Sequence, residues 1–148
     1  MKVGIIGLGK MGMLHTGILN TLDDVHIVSV AESESQLTKY IKNAIPSAKV
    51  YEDYQKMIKS EELDLVYITT PPSSHMQIAL ECVNRGVNFF VEKPLTSNLE
   101  EAMKLCAELK NTQVVRALED KDQNVHEVDR FEFPNHWFDN SILQQQQK

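Results

Sequence analysis

The chain has 148 residues, 42% of them hydrophobic and 24% charged, which suits one globular domain with a sizeable core. A formal net charge of −6 argues against nucleic acid or a membrane surface as partner, and no apolar run approaches a membrane span. Met1-Lys2-Val3 leads straight into an apolar strand with no room for a signal peptide, and the two cysteines, Cys82 and Cys106, read as buried thiols of a reducing cytoplasm rather than as a disulfide or metal framework.

Strands and helices alternate, the sequence form of an α/β doubly wound parallel sheet. Lys2–Ile6 reads as the first strand and about Met11–Leu22 as the first helix, with Met11, Leu14, Ile18 and Leu22 expected on its buried face. Val25–Val30 is the second strand. The next helix opens near Ser33, where Ser33 and Gln36 can form a capping box, and carries Leu37, Tyr40, Ile41 and Ala44. Pro46 closes that unit; Lys49–Tyr51 is a short strand and Tyr54–Lys59 a short helix. Leu65–Thr69 is a continuous apolar run, as a strand covered on both faces should be. Thr69-Thr70-Pro71-Pro72-Ser73 makes a rigid loop at its end. Ser74–Arg85 reads as a helix with Ser74 and Gln77 as cap partners and Gly86 as its terminator. Val87–Val91 is the fifth strand, and Ser97 with Glu100 forms a third capping box for a helix to about Lys110. The alternation then weakens. Thr112–Leu118 is a candidate sixth strand, Phe131–Phe133 alternates like an edge strand stopped by Pro134, and Phe138–Leu143 begins a helix that fades into glutamines. Residues 1–118 are the expected nucleotide-binding domain. Residues 119–148 are an atypical tail, an edge strand with a short helix or the remnant of a second domain.

The first turn carries the chemistry. Val3-Gly4-Ile5-Ile6 runs into Gly7-Leu8-Gly9-Lys10-Met11-Gly12, a G-x-G-x-x-G between strand and helix. Glu32 stands twenty residues after Gly12, past the second strand. This is a dinucleotide-binding fingerprint in its structural context. Gly7 permits the tight turn, Gly9 lets the backbone approach a diphosphate, and Gly12 lets helix and strand pack closely. The diphosphate would lie on the unpaired N–H groups at the positive end of the helix. Glu32 would accept the ribose hydroxyls of the adenosine half. Its carboxylate favours NAD over NADP, because it repels a 2′-phosphate; Ser33 and Ser35 soften that preference.

A second motif follows: Tyr67-Ile68-Thr69-Thr70-Pro71-Pro72-Ser73-Ser74-His75, then Phe90-Val91-Glu92-Lys93-Pro94-Leu95. With the fingerprint, residues 1–112 resemble the Gfo/Idh/MocA family, the glucose–fructose oxidoreductase and inositol dehydrogenase relatives. The resemblance implies a Rossmann domain, followed in the family by a larger, mostly antiparallel α/β domain. It also implies hydride transfer between nicotinamide and a sugar, polyol or related alcohol/carbonyl pair. Lys93 is the implied catalytic residue, an ammonium over the sheet edge that polarises a substrate oxygen. Pro94 fixes the loop, through a bond often cis in the family, and Glu92 orients it. Thr69, Thr70 and Pro71 match the loop along the cofactor. His75 also matches, with either a packing or a ligand role, and His15 is read as structural. His126, Glu127, His136 and Asp139 have no recognised ligand spacing, so no metal is expected.

The family's Asp-x-x-x-His motif has no match after Lys93, and about 36 residues follow the resemblance. The implied reading is a truncated or internally deleted relative, or a piece of a longer chain, with little activity expected of the isolated chain. A sugar or polyol would be the substrate of a full-length parent. The alternative is a non-catalytic remnant that binds a dinucleotide or a partner protein. A homo-oligomer is left open, because the family's subunit contacts commonly use the second domain.

Overall fold

Parallel strands joined by right-handed crossovers must place their helices on a face dictated by the direction of travel across the sheet. The computed structural model, which describes residues 1–109, 116–119 and 125–127, follows this rule. In chain order the elements are β1 (Lys2–Ile6), α1 (Lys10–Leu19), β2 (His26–Ala31), α2 (Ser35–Ala44), β3 (Lys49–Tyr51), α3 (Tyr54–Ser60) and β4 (Leu65–Ile68). They continue as α4 (Pro72–Arg85), β5 (Asn88–Val91), α5 (Leu99–Leu109), β6 (Arg116–Glu119) and β7 (Val125–Glu127). The sheet order is β3-β2-β1-β4-β5-β6-β7. Pairing is parallel from β3 to β6, and β7 lies antiparallel on β6. The doubly wound reading of the sequence is therefore the fold. The sheet also runs on past residue 118, since Leu118 pairs with His126. The expected edge strand at Phe131–Phe133 and the helix at Phe138–Leu143 lie outside the described residues.

Two apolar cores sandwich the sheet. On one face Val3, Ile5 and Val30 meet Leu19 of α1 and Ile41 of α2. On the other, Ile6, Val66, Ile68, Phe89 and Val91 meet Met57 and Ile58 of α3, Ile78 and Cys82 of α4, and Leu105 and Leu109 of α5. Alternate residues of β1 thus serve opposite cores, as a strand buried on both faces requires.

The first helix departs from the expected burial. Its inward residues are Gly12, Thr16 and Leu19. Met11, Leu14 and Ile18, and Leu22 beyond the helix, are 36%, 52%, 53% and 48% exposed. The cause is Gly12. A Cβ there would lie 2.1 Å from the Gly7 carbonyl oxygen and 2.8 Å from Thr69 Oγ1. So close an approach of helix to strand turn needs the smallest residue at the contact. It fixes positions 12, 16 and 19 as the inward face and turns the larger apolar side chains out.

The caps also differ from expectation. Ser33 precedes α2, whose N-cap is Glu34, and the Ser33 hydroxyl donates to Glu32 instead of capping. Pro71 is the N-cap of α4 with Pro72 at its start, so Ser74 lies inside the helix, its hydroxyl oxygen 2.7 Å from Thr70 Oγ1 and 2.8 Å from the Pro71 carbonyl to which it donates. Pro at N1 suits a helix start because its missing N–H would have no helical partner. Asn98, not Ser97, caps α5 by accepting from the Glu101 N–H at 2.9 Å. Gly86 does end α4, at φ +66°. Burial pushes the Cys82 thiol up to about 12, and both cysteines are buried and outside any disulfide.

Two glycines of α1 therefore respond oppositely to a methyl group. Gly12→Ala overpacks a backbone contact and is expected to lose about 1–3 kcal/mol or more. Gly17→Ala, with nothing within 4 Å of the added Cβ, is expected to gain up to about 1 kcal/mol from helix propensity. Urea unfolding of both variants checks this; equal midpoints would remove the close-contact argument.

Candidate dinucleotide site

β1 has β2 on one side and β4 on the other, so the strand order reverses beside it. In open α/β sheets the ligand crevice lies beyond the carboxyl ends of the strands at such a point. Here Gly7 follows β1, Glu32 follows β2, Thr69 follows β4 and Glu92 follows β5.

Gly7 takes φ +90°, and its N–H donates to the Ala31 carbonyl at 2.9 Å. A Cβ on it would meet Thr70 N and Thr70 Cγ2, each at 2.9 Å. Thr69 closes the contact from the other side, its hydroxyl lying 2.7 Å from the Gly7 carbonyl and 3.1 Å from that of Ile6. The glycine turn and the Thr69–Thr70 loop are one packed unit. Gly9 differs: nothing lies within 4 Å of an added Cβ. It is the N-cap of α1, without a side-chain cap. An open, glycine-lined helix N terminus suits a diphosphate, whose oxygens accept from backbone N–H groups.

Glu32 is held in place. Its Oε2 accepts from the Leu8 N–H at 2.7 Å, and its Oε1 accepts from the Glu34 N–H at 2.9 Å and the Ser33 hydroxyl at 3.3 Å. A carboxylate has about four acceptor positions, so these bonds leave capacity for further hydroxyl donors. Leu8 enters the site by its backbone only, for its side chain is buried in the core. Lys10 and Met11 are exposed in the first turn of α1. These residues fit a dinucleotide: room at Gly9, N–H donors at the helix start and a fixed carboxylate across the turn. None of the described residues form a group suited to a metal ion.

The second motif lies at the carboxyl ends of β4 and β5. Lys93–Pro94 is a cis peptide bond, and Lys93 is exposed beyond β5. His75, fully buried, lies with Nδ1 3.0 Å from the Pro94 carbonyl and Nε2 2.7 Å from the Thr70 carbonyl. It ties the Thr69–Pro71 loop to the Lys93–Pro94 turn. A neutral imidazole has one N–H, so it donates to one of these carbonyls; only the doubly protonated ring donates to both. Glu92 is buried, its Oε1 2.5 Å from His15 Nε2 and its Oε2 accepting from the Lys93 N–H at 3.2 Å. The His15 ring leans on Tyr67 and Phe90 at centroid distances of 5.6 and 5.3 Å. Burial holds the Tyr67 phenol above its ordinary range, so it stays neutral. Spacing alone does not reveal the His15–Glu92 contact, because the partners are 77 residues apart.

Fold and site together define a nicotinamide-dinucleotide-type Rossmann domain. Residues 1–119 match the oxidoreductase family with an NAD-binding Rossmann fold. The chain belongs to that family, Gfo/Idh/MocA. Among its relatives, myo-inositol 2-dehydrogenase of Thermotoga maritima is 26% identical over 115 residues, 78% of this chain and 34% of that protein. An NADP(+)-type scyllo-inositol 2-dehydrogenase of Bacillus subtilis is 31% identical over 68% of this chain and 28% of its own length. The crystal structure of myo-inositol 2-dehydrogenase from Lactobacillus plantarum superposes with a TM-score of 0.75 at 27% identity, covering 80% of this chain and 35% of that one. The chain thus spans about a third of the length of these relatives.

The His75 tie has a measurable weight. His75→Phe keeps a ring but removes the imidazole N–H, and the expected cost is about 1–3 kcal/mol for a buried carbonyl left without its donor. Denaturant unfolding measures it; an unchanged midpoint would mean that the two loops hold without the imidazole.

Proposed function

We propose that the chain is the NAD(H)-binding domain of an oxidoreductase that moves hydride between nicotinamide and a sugar or polyol, with Lys93 as the residue that contacts the substrate oxygen. The observation that carries the reading is the Glu32 carboxylate fixed across the Gly7–Gly12 turn by the Leu8 N–H. The polyol class rests on relatives such as the scyllo-inositol 2-dehydrogenase (NAD(+)) of Bacillus subtilis. The two buried thiols, which form no disulfide, accord with a reducing cytoplasmic setting.

A bound nicotinamide dinucleotide would supply the hydride acceptor or donor. The chain's own residues do the rest. The N–H groups of Lys10, Met11 and Gly12 take the diphosphate, with Gly9 giving it room. Glu32 accepts from the ribose hydroxyls. It discriminates against a 2′-phosphate by charge, and exposed Glu34 adds a second carboxylate beside it. Thr69, Thr70 and Pro71 back the cofactor. The Lys93 ammonium donates to the substrate oxygen and stabilises the negative charge that grows when hydride reaches a carbonyl carbon.

Orientation of the substrate is the larger share of the rate, with effective molarities of about 10⁵–10⁸ M in well-aligned reactions. The relatives are more than twice as long as this chain. We therefore expect the 148-residue chain alone to bind NADH without appreciable turnover of polyols or aldoses. A second reading, a dinucleotide-binding partner without catalysis, is favoured by that same length ratio. NADH formation across a polyol panel separates them: turnover abolished by Lys93→Ala means that this chain builds its own substrate site.

Calorimetric titration tests the cofactor assignment. NADH is expected to bind more tightly than NADPH. Glu32→Ala is expected to weaken NADH by about tenfold or more, given about 1.5–3 kcal/mol for a hydrogen bond to a charged group. Equal affinities for both cofactors in the unsubstituted chain would overturn the role of Glu32.

A further inference from the structure

We propose that His15 is a positioning residue for Lys93, acting through Glu92; the inference rests on the reading of Lys93 given above. A buried carboxylate needs partners for both oxygens, since an unpaired buried charge is costly. Glu92 divides its oxygens between two: His15 on one and the Lys93 backbone N–H on the other. The Glu92 N–H is itself fixed by the Ile68 carbonyl at 2.9 Å, which continues the β4–β5 pairing. The carboxylate is therefore held at its backbone and at one oxygen, and its remaining oxygen sets where the Lys93 amide begins.

His15 comes from the other end of the site. It lies on α1, three residues after Gly12 and one before Thr16, whose hydroxyl donates back to the Gly12 carbonyl at 2.6 Å. Its ring is steadied by Tyr67 of β4 and Phe90 of β5, which themselves pack at 4.8 Å. The helix that opens at the glycine turn thus reaches across β4 to the turn that carries Lys93. His15 holds the distance between the proposed diphosphate cradle and the proposed substrate-polarising ammonium.

Two substitutions separate this from plain packing. His15→Phe keeps the ring on Tyr67 and Phe90 and loses the N–H. His15→Gln gives up the ring and retains an amide N–H that can reach Glu92. If His15 only packs, Phe is the benign change and Gln the harmful one; if it positions, the order reverses. The readout is Lys93 itself in the full chain, with lysines reductively methylated with ¹³C and the Lys93 signal assigned by its loss in Lys93→Arg. We expect His15→Phe to move the Lys93 methyl shift and its titration midpoint, and His15→Gln to return both toward the original values. His15→Leu replaces His15→Phe should the larger ring prevent folding. A Lys93 signal unmoved in His15→Phe or His15→Leu, or moved more by His15→Gln, would overturn the proposal. NADH titration of the same samples tests the cofactor reading separately, because the Lys93 signal is read without cofactor.

Discussion

The structure depends on one close contact, that of Gly12 with the Gly7 carbonyl. A methyl group at residue 12 would sit 2.1 Å from that oxygen, well inside van der Waals distance. Helix α1 can therefore start within the turn that ends β1 only because residue 12 has no side chain. The contact aims the helix's N terminus at the space beyond the strand ends, where an anion is favoured by the first-turn N–H groups and the helix dipole. It also selects which face of α1 is buried. Gly12, Thr16 and Leu19 go in, and Met11, Leu14 and Ile18 go out.

From that contact the remaining site residues follow in a chain of ties. Thr69 bonds the Gly7 carbonyl, Thr70 packs where a Gly7 side chain would be, and His75 joins the Thr70 carbonyl to that of Pro94. His15 closes the circuit from α1 to Glu92. Three strand ends, those of β1, β4 and β5, and two helices are thereby held in register by the chain's own bonds. Such advance ordering limits the entropy lost when a ligand arrives. The ties lie at the carboxyl ends of the central strands and draw on a helix from each face of the sheet, α1 on one and α4 on the other.

Much of this was legible in the sequence because it rests on chemistry that few residues can supply. Gly7 is read as a tight turn and Gly12 as a close approach, and the structure has both, since only glycine tolerates φ +90° and a 2.1 Å Cβ contact. The alternation of strands and helices gives the sheet. What periodicity misread is the orientation of α1: Met11, Leu14, Ile18 and Leu22 have helical spacing, yet helical spacing alone does not say which face touches the sheet, and a glycine contact outweighed four larger apolar residues. Caps were misread where another partner was nearer, as with Ser33 bonding to Glu32 and Asn98 taking the place of Ser97. The ties of His15 and His75 depend on which strand ends become neighbours. Their partners are distant in sequence, and no local pattern encodes them.

The central claim is that the Gly7–Gly12 turn, Glu32 and the Thr69–Pro71 loop form one dinucleotide cradle. Amide chemical-shift mapping with added NADH tests it most directly. The account predicts that Leu8, Gly9, Lys10, Met11 and Gly12 shift with the largest amplitude, together with Glu32, Ser33, Thr69 and Thr70, while amides of α3 and the C-terminal half of α4 stay in place. Saturable shifts centred elsewhere, or none at these positions, would contradict it.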